Sequence, residues 1–259
     1  MPLLLWIVLF TLLGGALSAL AASAFLLAPE NLRTRVLPHL VSFATGALLG
    51  AALLGLLPHA IDELGTEGTH RIGLTLLIGL LIFFVLEKMV LWRHCHQDAC
   101  EGHVPSDHHR DAASATLILI GDALHNLLDG VLIAAAFMTD VHLGVVTALA
   151  VIAHEIPQEM SDLAILLHGG MSRANAFTLN LLTSVSSVAG GVVAYFALNP
   201  VQHLVPYALT VAAASFLYIA VADLIPGLHR RVDAGSGVKQ FAFIVLGIVT
   251  IAVSHALAH

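Results

Sequence analysis

Apolar segments long enough to cross a bilayer follow one another along most of this chain. A helical crossing takes about 20 residues. Runs of that kind fall at roughly 3–27, 37–60, 71–92, 114–138, 142–168, 174–198, 204–228 and 238–258. Backbone groups in lipid must find their hydrogen bonds within the protein, and at these lengths only helices do so. The expected fold class is therefore all-α and polytopic, with eight transmembrane helices in a single domain over 1–259. Composition agrees: 58% of the residues are hydrophobic and only 10% charged, against about 25% charged in a soluble domain. The first run lacks a charged leader and an obvious cleavage site, so it reads as a retained span.

Basic residues orient the spans. Arg33, Arg35, Lys88, Arg93, Arg110, Arg173, Arg230, Arg231 and Lys239 fall in or beside the connections after spans one, three, five and seven. Arg71 alone lies beside an alternate connection. By the positive-inside rule the first set faces the cytoplasm and both termini are extracytoplasmic. The connection after span two, with Asp62, Glu63 and Glu67, then faces outward. It reads either as an acidic mouth that attracts cations or as ordinary solvated loop charge.

Several partner classes drop out. No basic patch interleaved with aromatics is present, which argues against nucleic acid. Two cysteines, Cys95 and Cys100, make no disulfide framework. Both lie in a polar cytoplasmic loop at 93–113, beside His94, His96, His103, His108 and His109. That loop reads either as a metal-capturing or metal-sensing segment or as a plain polar linker. Its spacing matches no fixed zinc module.

Two motifs interrupt the apolar pattern. Span four carries Gly121-Asp122-Ala123-Leu124-His125-Asn126-Leu127-Leu128-Asp129-Gly130, and span five carries His154-Glu155-Ile156-Pro157-Gln158-Glu159-Met160-Ser161-Asp162. Ionisable groups at bilayer depth are costly and mark ion paths or sites. His125 lies about eleven residues into its span, roughly 16 Å at the helical rise. His154 and Glu155 lie at a similar depth on the antiparallel neighbour. Asp122, His125 and Asp129 share one helical face at i, i+3 and i+7. On span five, His154 and Gln158 are an i, i+4 pair, and Glu155, Glu159 and Asp162 form an adjacent stripe. Facing helices of this kind can surround one or two cations. Imidazole suits zinc, and carboxylates widen the range toward iron, manganese and cadmium. Pro157 removes one backbone hydrogen bond and is expected to kink span five beside these residues.

The two motifs resemble the fourth- and fifth-span signatures of the ZIP (Zrt-, Irt-like protein) family of divalent metal transporters. The nearer resemblance is to the subfamily with a His-Glu-x-Pro-His-Glu-x-Gly-Asp signature. Leu56-Leu57-Pro58-His59 and the segment Phe216 to Pro226 resemble that family's second and seventh spans. The pattern departs at Gln158, where the signature has His, and at Ser161, where it has Gly. It also departs at Ala51 and Gly55, where many members have Asp and His.

The resemblance implies a 3+2+3 inverted-repeat bundle and gradient-driven alternating access that carries metal toward the cytoplasm. It implies metal ligation by His125, Asn126, Asp129, His154, Glu155 and Gln158, with Glu159, a signature residue of the subfamily, as a further metal-site residue. It implies Zn2+ as transported substrate, with Fe2+, Mn2+ and Cd2+ as other candidates, and no organic cofactor. Such a protein is not an enzyme and sits as a multi-pass protein in the cell membrane, with a homodimer as a candidate assembly. Along the pathway the expected residues are His59, Asp122, Asp162, Asp223 and His229. Two rivals stand beside this reading. One is an intramembrane metalloprotease, because His154 to Gln158 nearly spells His-Glu-x-x-His. The other is a membrane metal sensor.

Overall fold

The computed structural model describes residues 2–95, 107–168, 170–229 and 234–256. Among these residues every regular element is helical. The first span is α1 (Leu3–Leu12), a π-helical turn (Leu13–Leu17) and α2 (Ser18–Leu26). Then come α3 (Glu30–Gly50), a second π segment (Ala51–Leu56) and α4 (Leu57–Cys95). Helix α4 is broken at Gly65, whose φ of 66° lies in the left-handed region that favours glycine. α5 (Asp107–Thr139) and α6 (Val141–His168) carry the two central motifs. After them follow α7 (Arg173–Ser184), α8 (Ser186–Leu198), a 3₁₀ turn (Asn199–Leu204) and α9 (Val205–Tyr218). A third π segment (Ile219–Leu224), α10 (Ile225–His229) and α11 (Ala234–Ala256) complete the order.

Seven stretches of the described residues are long and apolar enough to cross a membrane. They are Leu3–Leu26, Glu30–Gly65, Gly68–Leu86, Leu119–Thr139, Val141–Leu167, Arg173–His229 and Ser236–Ser254. The sixth stretch, 57 residues long, is broken near its middle at the 3₁₀ turn. There Pro200 lacks an N–H, and Val201 leaves helical geometry at φ −128°, ψ 48°. The chain is thus a multi-pass membrane protein, all-helical among the described residues.

Helix α6 runs through Pro157 as one continuous element. Other spans carry three π segments among the described residues. Each widens the turn to i→i+5 bonding, a feature that clusters at functional positions. None was anticipated from residue pattern.

The helices sort into two packed groups. In the first, α5 packs most closely on α8, and α6 packs on α5 and α2. In the second, α3 packs on α11 and α4 on α9. The groups meet where α3 lies against α6 and α5 against α9. Backbone-to-backbone contact pins each group. A Cβ on Gly130 would strike the Ser187 carbonyl, and one on Gly190 the Leu127 carbonyl. Gly46 meets the Ile244 carbonyl in the same way. Without a hydrophobic drive between helices in lipid, such small-residue contact supplies the packing energy.

The turn between α5 and α6 is capped by Asp140. Its Oδ1 accepts from the N–H groups of His142 at 2.8 Å and Leu143 at 3.1 Å, satisfying two free donors of α6. Partial burial opposes the charge on this carboxylate. The two backbone donors and the nearby imidazoles of His142 and His59 outweigh it and hold the carboxyl below its ordinary value.

Candidate metal site

The apolar stripes of α5 and α6 bury one polar cluster between them. His125, Asp129, His154 and Glu155 each offer one ligand atom, and all four atoms lie within 4.8 Å of one another. His125 Nε2 is 3.3 Å from His154 Nε2 and 3.3 Å from Glu155 Oε1. His154 Nε2 is 3.2 Å from Asp129 Oδ2 and 3.5 Å from Glu155 Oε1. His125 Nε2 lies 3.8 Å from Asp129 Oδ2. A tetrahedral ion with bonds of about 2.0–2.1 Å separates its ligand atoms by roughly 3.3–3.4 Å. The cluster is close to that geometry.

Hydrogen bonding prepares the imidazole of His154 for this role. Its Nδ1 lies 3.1 Å from the Ala150 carbonyl oxygen, an acceptor only, so Nδ1 carries the proton. Nε2 is left with its lone pair aimed into the cluster, the arrangement expected of a ligating histidine. Phe216 of α9 packs edge-on against the ring, with centroids 6.1 Å apart. Its contact places the cluster where the two helix groups meet.

The carboxylates carry the clearest signal. Both oxygens of Asp129 and both of Glu155 are buried without a hydrogen-bond partner. Buried polar atoms are nearly always satisfied, and an uncompensated buried carboxylate costs several kcal/mol. Two imidazole nitrogens and two such carboxylates meet the requirements of a divalent cation held by nitrogen and oxygen. The side chains of Asp129, His154 and Glu155 are at most 1% exposed, whereas that of His125 is 21% exposed. His125 is therefore the open side of the cluster.

The other expected site residues lie around it. Asn126 is buried and donates to the Asp122 carboxylate at 2.8 Å. Gln158 is half-buried one turn beyond His154. The carboxylate oxygens of Glu159 accept from Ser184 Oγ at 2.6 Å and from the Asn180 amide. Asp122 also accepts from Thr183. Asp162 is half-buried and within electrostatic reach of Asp122 and Asp223. Asp223 sits in the third π segment, and His229 is exposed at the end of α10. His59 Nδ1 bonds the Gly55 carbonyl at 3.0 Å and lies within electrostatic reach of Glu63 and Asp140.

The loop residues are placed less fully. His96, Cys100 and His103 lie outside the described residues. His94 and Cys95 fall at the end of α4, and His108 and His109 in the first turn of α5. Their side chains are likewise outside the description.

Sequence reasoning missed the polar edge of α7 and α8. Asn180, Thr183, Ser184, Ser186 and Ser187 all turn toward spans one, four and five. The available signal was their clustering within eight residues of an otherwise apolar run.

Comparison with known proteins agrees with this geometry. The family model described as "ZIP Zinc transporter" matches residues 3–116 and 92–255. The chain is 28% identical to zinc transporter zipt-7.1 of Caenorhabditis briggsae, over 88% of this chain and 71% of that protein. It is 32% identical to zinc transporter ZIP13 of Pongo abelii, over 82% of this chain and 65% of that protein. For zinc transporter ZIP13 of Homo sapiens the identity is 29%, over 82% and 69%. The chain thus spans about two thirds of these relatives' own lengths. A family model whose two matches together cover nearly the whole sequence, on a bundle with this buried His/Asp/Glu cluster, shows that the chain belongs to the ZIP zinc transporter family, whose members are transporters and not enzymes.

Proposed function

We infer that the protein carries Zn2+, and related divalent metals, across the cell membrane toward the cytoplasm. The observation that carries this reading is the set of four buried carboxylate oxygens without hydrogen-bond donors, facing two imidazoles. The ion is held by His125, Asp129, His154 and Glu155, with Asn126 and Gln158 at the rim. Gln158 offers only a neutral carbonyl, so the shell is less anionic than one with an added carboxylate. Nitrogen and oxygen ligands, with no thiolate, fit a site that must capture the ion and also release it.

Eight crossings serve this reading. The 57-residue stretch Arg173–His229 has the length of two, since about 20 residues cross a bilayer. Both termini then face outward. His59, Asp62 and Glu63 gather cations at the outer mouth. Asp162, Asp223 and His229 accept the ion on its way in. The helix groups move relative to each other, exposing the site alternately to each side, and the ion gradient drives net flux.

Flux into proteoliposomes tests the reading. Purified protein should give saturable Zn2+ uptake that Mn2+, Fe2+ and Cd2+ compete with to different degrees. Saturable binding without flux would instead establish a sensor. Metal-dependent peptide cleavage would establish a protease.

A further inference from the structure

Four carboxylates crowd the centre of spans four and five, and the structure treats them in two ways. Asp129 and Glu155 have no hydrogen-bond donors. Asp122 and Glu159, one to two turns away on the same helices, are each held by donors on span six. The geometry points to Asn180 and Ser184 as positioning residues that keep the Glu159 carboxylate out of the ion's coordination shell. The inference rests on the metal site proposed above.

Glu159 follows Glu155 by four residues on α6, so the two side chains share a helical stripe. A glutamate side chain is long enough to swing toward a cation one turn away. Here it is fully buried, with one oxygen on Ser184 Oγ at 2.6 Å and the other on the Asn180 amide. The Ser184 hydroxyl also lies 2.6 Å from the Asn180 carbonyl. A hydroxyl has one proton, which Ser184 shares between the Glu159 carboxyl and this carbonyl, while the Asn180 amide stays on the other Glu159 oxygen. The donors are themselves well placed. Helix α7 ends at Ser184, and the turn at Val185 restarts the span as α8. Ser186 Oγ ties the restart to the Ala123 carbonyl of span four at 2.7 Å. Ser187 Oγ ties it to the Thr11 carbonyl of span one at 3.0 Å.

The consequence is a limit on ion affinity. A shell of two imidazoles and two carboxylates neutralises a divalent ion. A third carboxylate raises the coordination number and the anionic charge, so the ion is held longer. Transport needs binding weak enough for release.

Co2+ bound to the purified protein tests this, because its visible spectrum reports coordination number. The Asn180→Ala/Ser184→Ala variant should lose most of the intense four-coordinate absorption as Glu159 joins the shell. Its Zn2+ uptake should show KM and kcat both falling, each about three-fold or more, as release slows. Ser184→Thr, which keeps the hydroxyl, should retain the wild-type spectrum. If the double variant does not insert, Ser184→Ala alone carries the same test, with a smaller spectral change in the same direction. An unchanged Co2+ spectrum in the inserted variant overturns the positioning role, even if kcat falls. A wild-type spectrum that survives His154→Ala overturns the site itself and this inference with it.

Discussion

Replacing Asp129 by alanine is expected to abolish zinc uptake, a loss of roughly 100-fold or more in kcat/KM, since even a residue that only orients a ligand typically costs 10–100-fold in metal affinity or activity. Asp129 is a sharp probe for a physical reason. Both of its oxygens are buried and unpartnered, and Oδ2 lies 3.2 Å from His154 Nε2. Alanine removes the charge that offsets the ion and leaves two imidazoles 3.3 Å apart with nothing anionic beside them except Glu155. Asp129→Asn keeps the shape and removes only the charge, so it should be nearly as damaging. Radiolabelled zinc uptake, normalised to the amount of protein in the membrane, reads both effects. Normal uptake by a correctly inserted Asp129→Ala protein would refute the site.

The second large effect lies one residue along the chain. Gly130→Leu should prevent spans four and six from closing. A Cβ at Gly130 already meets the Ser187 carbonyl and the backbone of Gly191, and leucine adds three further carbons. Overpacking a core typically costs about 1–3 kcal/mol. Here the obstacle is backbone of the neighbouring helix, which cannot rotate aside as a side chain would, so the cost belongs at or above the top of that range. The contact also carries Asp129 on one side and the donors of Glu159 on the other. Protein yield, thermal unfolding temperature in detergent and uptake should therefore fall together. A Gly130→Leu protein that unfolds at the wild-type temperature would mean that α5 and α8 do not pack as closely as described.

Much of this architecture was legible in the residues because lipid imposes simple rules. Long apolar runs separated by charge mark helices, and a histidine or carboxylate at mid-depth marks something worth its cost. That logic located the motifs on α5 and α6. It did not resolve how the carboxylates divide their labour. By helical spacing alone Asp122 stands on the face of His125 and Asp129, and Glu159 on the stripe of Glu155. The difference comes from Asn180, Thr183 and Ser184, which arrive from a span about 20 to 60 residues away in sequence. Helical periodicity carries no information about which neighbour covers a given face. The π segments were equally illegible. Apart from Asp223, Ala51–Leu56 and Ile219–Leu224 are made of the same small and aliphatic residues as the helices around them.

The central claim is that the ion is held by His125, Asp129, His154 and Glu155 rather than elsewhere in the chain. X-ray absorption at the zinc edge, on the purified full-length protein with one equivalent of metal, addresses it most directly. The expected result is four nitrogen and oxygen neighbours at about 2.0–2.1 Å, with imidazole outer-shell scattering. A dominant sulfur shell at about 2.3 Å would place the metal on Cys95 and Cys100 instead, and would contradict the account.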